Sequence, residues 1–205
     1  MFRLVTSSFT AMTLSIFLLS GCSDHSEAIK VLPNELSIAD DCKNTNKKFE
    51  MDCYDLISYK NSFAQLRLGL NAQHRENYEE AFQRYIVAKQ KGNFYVNSLL
   101  AELYNNGLGV ERNEETVVNL LEEVKDVDPI AAYKLAFHYL AKENNKEAIK
   151  LLTYAAQNNV KAAQYELSRL YSNPAITETD LEKSVYWNEL YEDQSGDFIN
   201  KIYGN

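Results

Sequence analysis

Ala131-Ala-Tyr-Lys-Leu-Ala-Phe-His-Tyr139 sets alanine, leucine and aromatic residues three and four positions apart, the spacing of one helix face. The pattern returns at Ala64-Gln-Leu-Arg-Leu-Gly-Leu-Asn-Ala72, Val96-Asn-Ser-Leu-Leu-Ala-Glu-Leu-Tyr104 and Ala163-Gln-Tyr-Glu-Leu-Ser-Arg-Leu-Tyr171. These starts lie 32 to 35 residues apart, the period of helix–turn–helix repeats. Leu68, Leu100, Leu135 and Leu167 share one column and should fill a common core. The next column is Gly69, Ala101, Ala136 and Ser168, always small, which lets a partner helix approach closely. A ninth column holds Ala72, Tyr104, Tyr139 and Tyr171.

Each segment leads through a turn into a second amphipathic stretch, beginning near Ala81, Thr116, Ala148 and Ser184. Gly107 and Gly109, Asn144-Asn145, and Asn173-Pro174 supply turn chemistry at the joints. Gly92, Asn159 and Gly196 follow the second helices, where a left-handed cap is wanted. Alternating Val/Ile/Thr runs do not occur, so the fold is expected to be all-α.

Leu100-Ala-Glu-Leu-Tyr-Asn-Asn-Gly-Leu-Gly-Val-Glu-Arg-Asn113 is close to the helix–loop–helix signature of Sel1-like repeats, relatives of the tetratricopeptide repeat. Ala163 to Tyr171, with Ser184 and Trp187 after it, resembles a further unit. The first and third units have a shorter turn without the Gly-x-Gly-Val element and look more tetratricopeptide-like. The resemblance covers about Ala64 to Gly196. It implies a right-handed α/α superhelical solenoid of about four helix–turn–helix repeats, with the first helices lining an elongated binding surface. Asn97, Glu102, Lys134, His138, Glu166 and Arg169, between the core columns, should project there. They make a polar groove of mixed charge.

The amino-terminal end carries a second signal. Met1-Phe-Arg3 is a short positive region, and a mostly apolar stretch runs from Leu4 to Leu19. It is polar-flecked and short for a span of ~20 apolar residues, which fits a signal peptide rather than a transmembrane helix. Leu19-Ser-Gly-Cys22 resembles the lipobox of bacterial lipoproteins. That resemblance implies cleavage before Cys22 and acylation of its thiol and new amino terminus, anchoring the chain in a bilayer. Ser23 stands where an aspartate would signal inner-membrane retention in enteric bacteria, so the expected location is the outer membrane, facing the periplasm.

The expected organisation is therefore a signal peptide over 1–21, an acylated tether over 22–41, a helical segment over 42–61 and the repeat domain over 62–205. His25 should lie in the tether. Beyond Cys22 the only thiols are Cys42 and Cys53. Export favours a disulfide there over a metal or redox site. In one continuous helix they would stand about 16 Å apart, too far for a bridge, so pairing requires a turn within Lys43-Asn-Thr-Asn-Lys-Lys48.

Composition bounds the function. A formal net charge of -8, near -9 once the segment with Arg3 is removed, argues against nucleic acid as a partner. Fourteen tyrosines suit packing and recognition surfaces alike. His25, His74 and His138 are the only histidines, and no nucleophile elbow or metal-ligand spacing accompanies them. Glu79-Glu80, Glu114-Glu115 and Glu122-Glu123 read as solvated faces or first-turn acids that complement the helix dipole. No catalytic residue, metal or cofactor is expected, and the partner is expected to be a protein.

The Sel1-like resemblance implies an adaptor role in a protein complex. Short exported or lipid-anchored members resemble immunity proteins that block antibacterial effectors, including phospholipases delivered by type VI secretion. An envelope-assembly or signalling adaptor is the alternative. A β-lactam-binding enzyme is weaker, because relatives with that activity carry a cysteine pair in nearly every repeat and this chain has none within its repeats.

Overall fold

The computed structural model describes residues 24–174, 179–193 and 195–204. The signal-peptide segment and Cys22 lie outside them. Among the described residues there are eleven α-helices and no strand. Four antiparallel pairs form a helical repeat solenoid: α3 (Ser62–His74) with α4 (Tyr78–Gln90), α5 (Asn97–Asn106) with α6 (Glu114–Glu122), α7 (Pro129–Ala141) with α8 (Asn145–Gln157), and α9 (Lys161–Tyr171) with α10 (Leu181–Glu192).

The core columns sit where their periodicity placed them. Leu68, Leu100, Leu135 and Leu167 are buried, with Ala101 and Ala136 beside them. In the first pair the small residue is obligatory. A Cβ at Gly69 would stand 2.7 Å from Tyr85 Cδ1 and nearer still to Cε1. Tyr85 of α4 thus lies directly over the α3 backbone.

Asparagine and aspartate start most of the helices. Asn61, Asn77, Asn113, Asn144, Asp128 and Asp180 each accept a backbone N–H two or three residues on, satisfying donors that a helix start leaves open. The first and third pairs use one turn, Arg75-Glu76-Asn77 and Lys142-Glu143-Asn144, in which the glutamate is left-handed (φ 59° and 58°). The second pair uses left-handed Gly107 and Gly109 instead. Gly92 and Asn159 are left-handed as expected, whereas Gly196 is not. Gly196 precedes an extended Asp197 and caps no helix end.

The segment expected to be a tether is instead a helix. Residues Ser26–Asp40 form α1, which packs on α3 through Leu32, Leu36 and Ala39. Those three residues are four and three apart, an apolar stripe outweighing the break suggested by Pro33. Glu35 of α1 accepts from the Ser62 backbone N–H at 2.9 Å and from its hydroxyl. His25 is folded in too, 3.2 Å from the Glu123 carbonyl and edge-on to Phe94 at 5.5 Å. The chain then turns, and α2 (Lys47–Ile57) returns alongside α3. A disulfide joins Cys42 to Cys53 across this turn, with Cα atoms 5.6 Å apart.

Beyond α10 the chain doubles back as α11 (Phe198–Tyr203), which belongs to no repeat. The Phe198 N–H donates to the Asn159 carbonyl at 2.9 Å, and Asp197 accepts from the Lys161 N–H at 3.1 Å. At its other end the Tyr203 hydroxyl donates to the Tyr95 carbonyl at 3.1 Å. The helix thus reaches from the start of α9 to α3, and Ile202 and Tyr203 are buried.

Candidate binding surface on the first helices

Three of the six projected groove residues come together. Gln73 of α3 donates to Glu102 Oε1 of α5 at 3.2 Å, and Lys134 of α7 donates to Glu102 Oε2 at 2.9 Å. Lys134 also donates to the Ser98 carbonyl at 3.0 Å. This polar ladder crosses three repeats along the first helices. His138 is one turn beyond Lys134 and lines the same cleft as Glu102 and Lys134.

Asn97 does not belong to that surface. It is fully buried at the start of α5, where Nδ2 donates to the Leu120 carbonyl at 2.9 Å and Oδ1 accepts from Lys89 at 3.0 Å. Its face of α5 turns toward α4 and α6, so its amide joins helices and meets no solvent. Glu166 and Arg169 lie apart on α9, paired with each other at 3.0 Å, with Arg169 5.9 Å from the Tyr165 ring. One acidic pair also does more than face solvent. Glu122 accepts from the Tyr139 hydroxyl at 2.6 Å and Lys125 at 2.7 Å, and Glu123 accepts from Lys89 at 2.6 Å. Burial acts to raise the pKa of the Glu122 carboxyl, but its hydrogen bonds from Lys125 and Tyr139 together outweigh that and hold it below the ordinary value.

Two clefts flank the ladder. One, of about 460 Å³, lies between α5, α6 and α7, with Val117, Val118, Leu121 and Phe137 on its walls and Arg112, Lys134 and His138 among its polar groups. The other, of about 590 Å³, is an open cleft among α2, α3, α5 and α11. Its walls include Glu50, Tyr54, Arg67, Gln73, His74, Tyr203 and Gly204.

Arg67 is a residue that sequence reasoning missed. It is the one charged residue in the stretch from Phe63 to Leu70, whose other polar side chain is Gln65, the only local hint of its role. Helix α3 is enclosed by α1, α2, α4 and α11, so Ser62 through Gly69 are all buried and Arg67 with them. Nη2 donates to Asp40 Oδ1 at 3.3 Å. Desolvation lowers the pKa of Arg67, and burial pushes that of neighbouring Tyr54 up to about 12.

A second buried polar cluster lies under α11. Asp128 caps α7 by accepting from the Ile130 N–H at 2.9 Å, and accepts from the Ser98 hydroxyl at 3.1 Å. Complete burial still pushes its carboxyl up to about 7, against those two hydrogen bonds and the pull of Lys134. Tyr203, Tyr95 and Tyr154 face this carboxyl, and all three phenols are raised, chiefly by burial.

No group of three or more histidine, cysteine, aspartate or glutamate residues is arranged to hold a metal among the described residues. No helix among them is long and apolar enough to cross a membrane.

The arrangement of helix pairs is shared with solved structures. A Sel1 repeat protein from Oxalobacter formigenes superposes with a TM-score of 0.65 at 18% identity, over 80% of this chain and 74% of that one. The protein c5321, a protective antigen present in uropathogenic Escherichia coli strains displaying an SLR fold, superposes at 0.63 with 21% identity. That match covers 82% of this chain but 39% of c5321, so this chain spans well under half of its length. These likenesses establish a Sel1-type repeat fold. No family model matches the sequence, and no curated protein matches it.

Proposed function

We propose that this chain is a protein-binding module held at the outer membrane through acylated Cys22 and facing the periplasm. The observation that carries the binding role is the Gln73–Glu102–Lys134 ladder, which runs across three repeats between two clefts. Stacked helix pairs suit this task because each repeat adds a further strip to one elongated surface. Support for the anchor comes from Leu19-Ser-Gly-Cys22 behind a positive and then apolar start.

The specific role we assign is immunity: neutralising a secreted antibacterial effector, such as a phospholipase, on its arrival in the periplasm. A short, acidic, anchored chain with a repeat surface fits a stoichiometric blocker. The test is co-expression in the periplasm with the effector encoded beside it, scored by growth. Relief of toxicity, together with recovery of a stoichiometric complex, supports immunity. Unrelieved toxicity ends that reading, and recovery of resident envelope proteins in its place assigns the adaptor role.

A further inference from the structure

The side chain of Arg67 is 4% exposed, yet Arg67 is among the residues lining the 590 Å³ cleft. Only Nη2 is engaged; Nε and Nη1 have no acceptor among the described residues. Its one partner, Asp40, is shared with Lys43 at 3.0 Å. The other nearby carboxylate, Glu50, is taken by Lys47 at 2.9 Å. Arginine cannot shed its proton in a protein. A buried positive charge with open donors therefore remains at the edge of a cavity, an arrangement that is costly until an acceptor arrives. The buried Tyr54 hydroxyl lies beside it, close to Glu50 but without hydrogen-bond geometry to it.

We propose that this cleft binds a single carboxylate group, accepted by Arg67 with the Tyr54 hydroxyl as a second donor, and carried on an otherwise uncharged ligand. Charge sets the valency. Glu50 and Glu102 also line the cleft and Asp40 adjoins it, and each is paired with a lysine, Lys47, Lys134 and Lys43. The one cation left over is the Arg67 guanidinium, which matches a monoanion rather than a dianion such as phosphate. Met51, Leu70 and Leu108 provide apolar wall for the rest of the ligand. The volume lies within the ~300–1,000 Å³ range of small-ligand pockets. Gly204, in the left-handed region at φ +76°, completes the wall at the guanidinium, where a Cβ would overlap it. A polypeptide and a small free acid both carry such a group, and the site does not depend on the protein-binding reading.

The test is a titration of the purified protein, labelled with ¹⁵N at arginine Nε, at fixed ionic strength. The probes are N-acetyl-Ala-Leu as free acid, its C-terminal amide, acetate and inorganic phosphate. The Arg67 Nε–H signal, assigned by its loss in R67K, should shift with the free acid, which should bind at least tenfold more tightly than the amide. R67K should lower the acid's affinity about tenfold or more and leave the amide's unchanged. Peptide acid binding well above acetate assigns a polypeptide-borne carboxylate; equal affinities assign a small free acid, and both uphold the site. Equal binding of acid and amide, an unmoved Arg67 signal, or phosphate binding more tightly than the acid would overturn it. The comparison of acid, amide and phosphate affinities for the wild-type protein decides even if R67K folds poorly.

Discussion

Replacing Gly69 by alanine sets two effects of known sign against each other. Alanine is favoured over glycine inside a helix by about 1 kcal/mol, so an exposed site would gain that much. At Gly69 the new methyl would stand 2.7 Å from Tyr85 Cδ1, where carbon pairs prefer ~3.5–4.0 Å. The ring must move by about 1 Å, yet Tyr85 is fully buried. Its hydroxyl donates to Gln73 at 2.8 Å, and Gln73 donates onward to Glu102. Overpacking of this kind costs about 1–3 kcal/mol, and losing the hydroxyl's bond costs about 1 kcal/mol more. Sterics should win, leaving G69A destabilised by about 1–3 kcal/mol. Urea unfolding followed by far-UV circular dichroism measures this directly. In a Y85L background the ring is gone, and the same substitution should be neutral or stabilising. A wild-type background in which G69A gains stability would refute the close approach of α3 and α4.

Four further outcomes are expected. Because the Asp128 carboxyl is raised to about 7, it stays protonated in the fold while the unfolded chain ionises near pH 4. Wild type should therefore lose stability relative to D128N as pH rises from about 4 to about 7, by up to about 4 kcal/mol, with no further change above. Parallel curves from urea melts across that range would contradict the buried state. E76G and E143G relieve a left-handed glutamate at a turn and should each stabilise by up to about 1 kcal/mol in the same assay. Loss of the bridge in C42S/C53S, which closes a separation of 11 residues, should cost about 3 kcal/mol, and thermal melts with and without reductant provide the check. N97A should destabilise by about 1–3 kcal/mol, because it leaves the Lys89 ammonium and the Leu120 carbonyl short of partners. A binding-surface residue would leave the melting temperature unchanged.

Local pattern was enough to read the repeats. The leucine and small-residue columns depend only on spacing within a helix and on the repeat period, and both survive any tertiary arrangement. Turn glycines and asparagines are equally local, so the joints between helices could be approached from short stretches of sequence. The groove was legible only in part. Glu102, Lys134 and His138 do line one cleft, but Asn97 turns inward because its face of α5 meets two neighbouring helices. A helical wheel distinguishes core from surface for one helix and does not count how many neighbours a helix has.

What the sequence by itself determined was the helical class, the four pairs and the columns that pack them, since each follows from residue types at fixed separations. Tertiary structure alone decided that residues 26–40 cover α3 instead of hanging free, and that α11 returns across the first helices. Burying α3 on every side enclosed the charge of Arg67, and the return of α11 set Tyr203 beside the buried Asp128. Those properties arise where segments far apart in the chain exclude water together. No local spacing encodes that shared desolvation, which is why the charged centre of this protein emerges only in the fold.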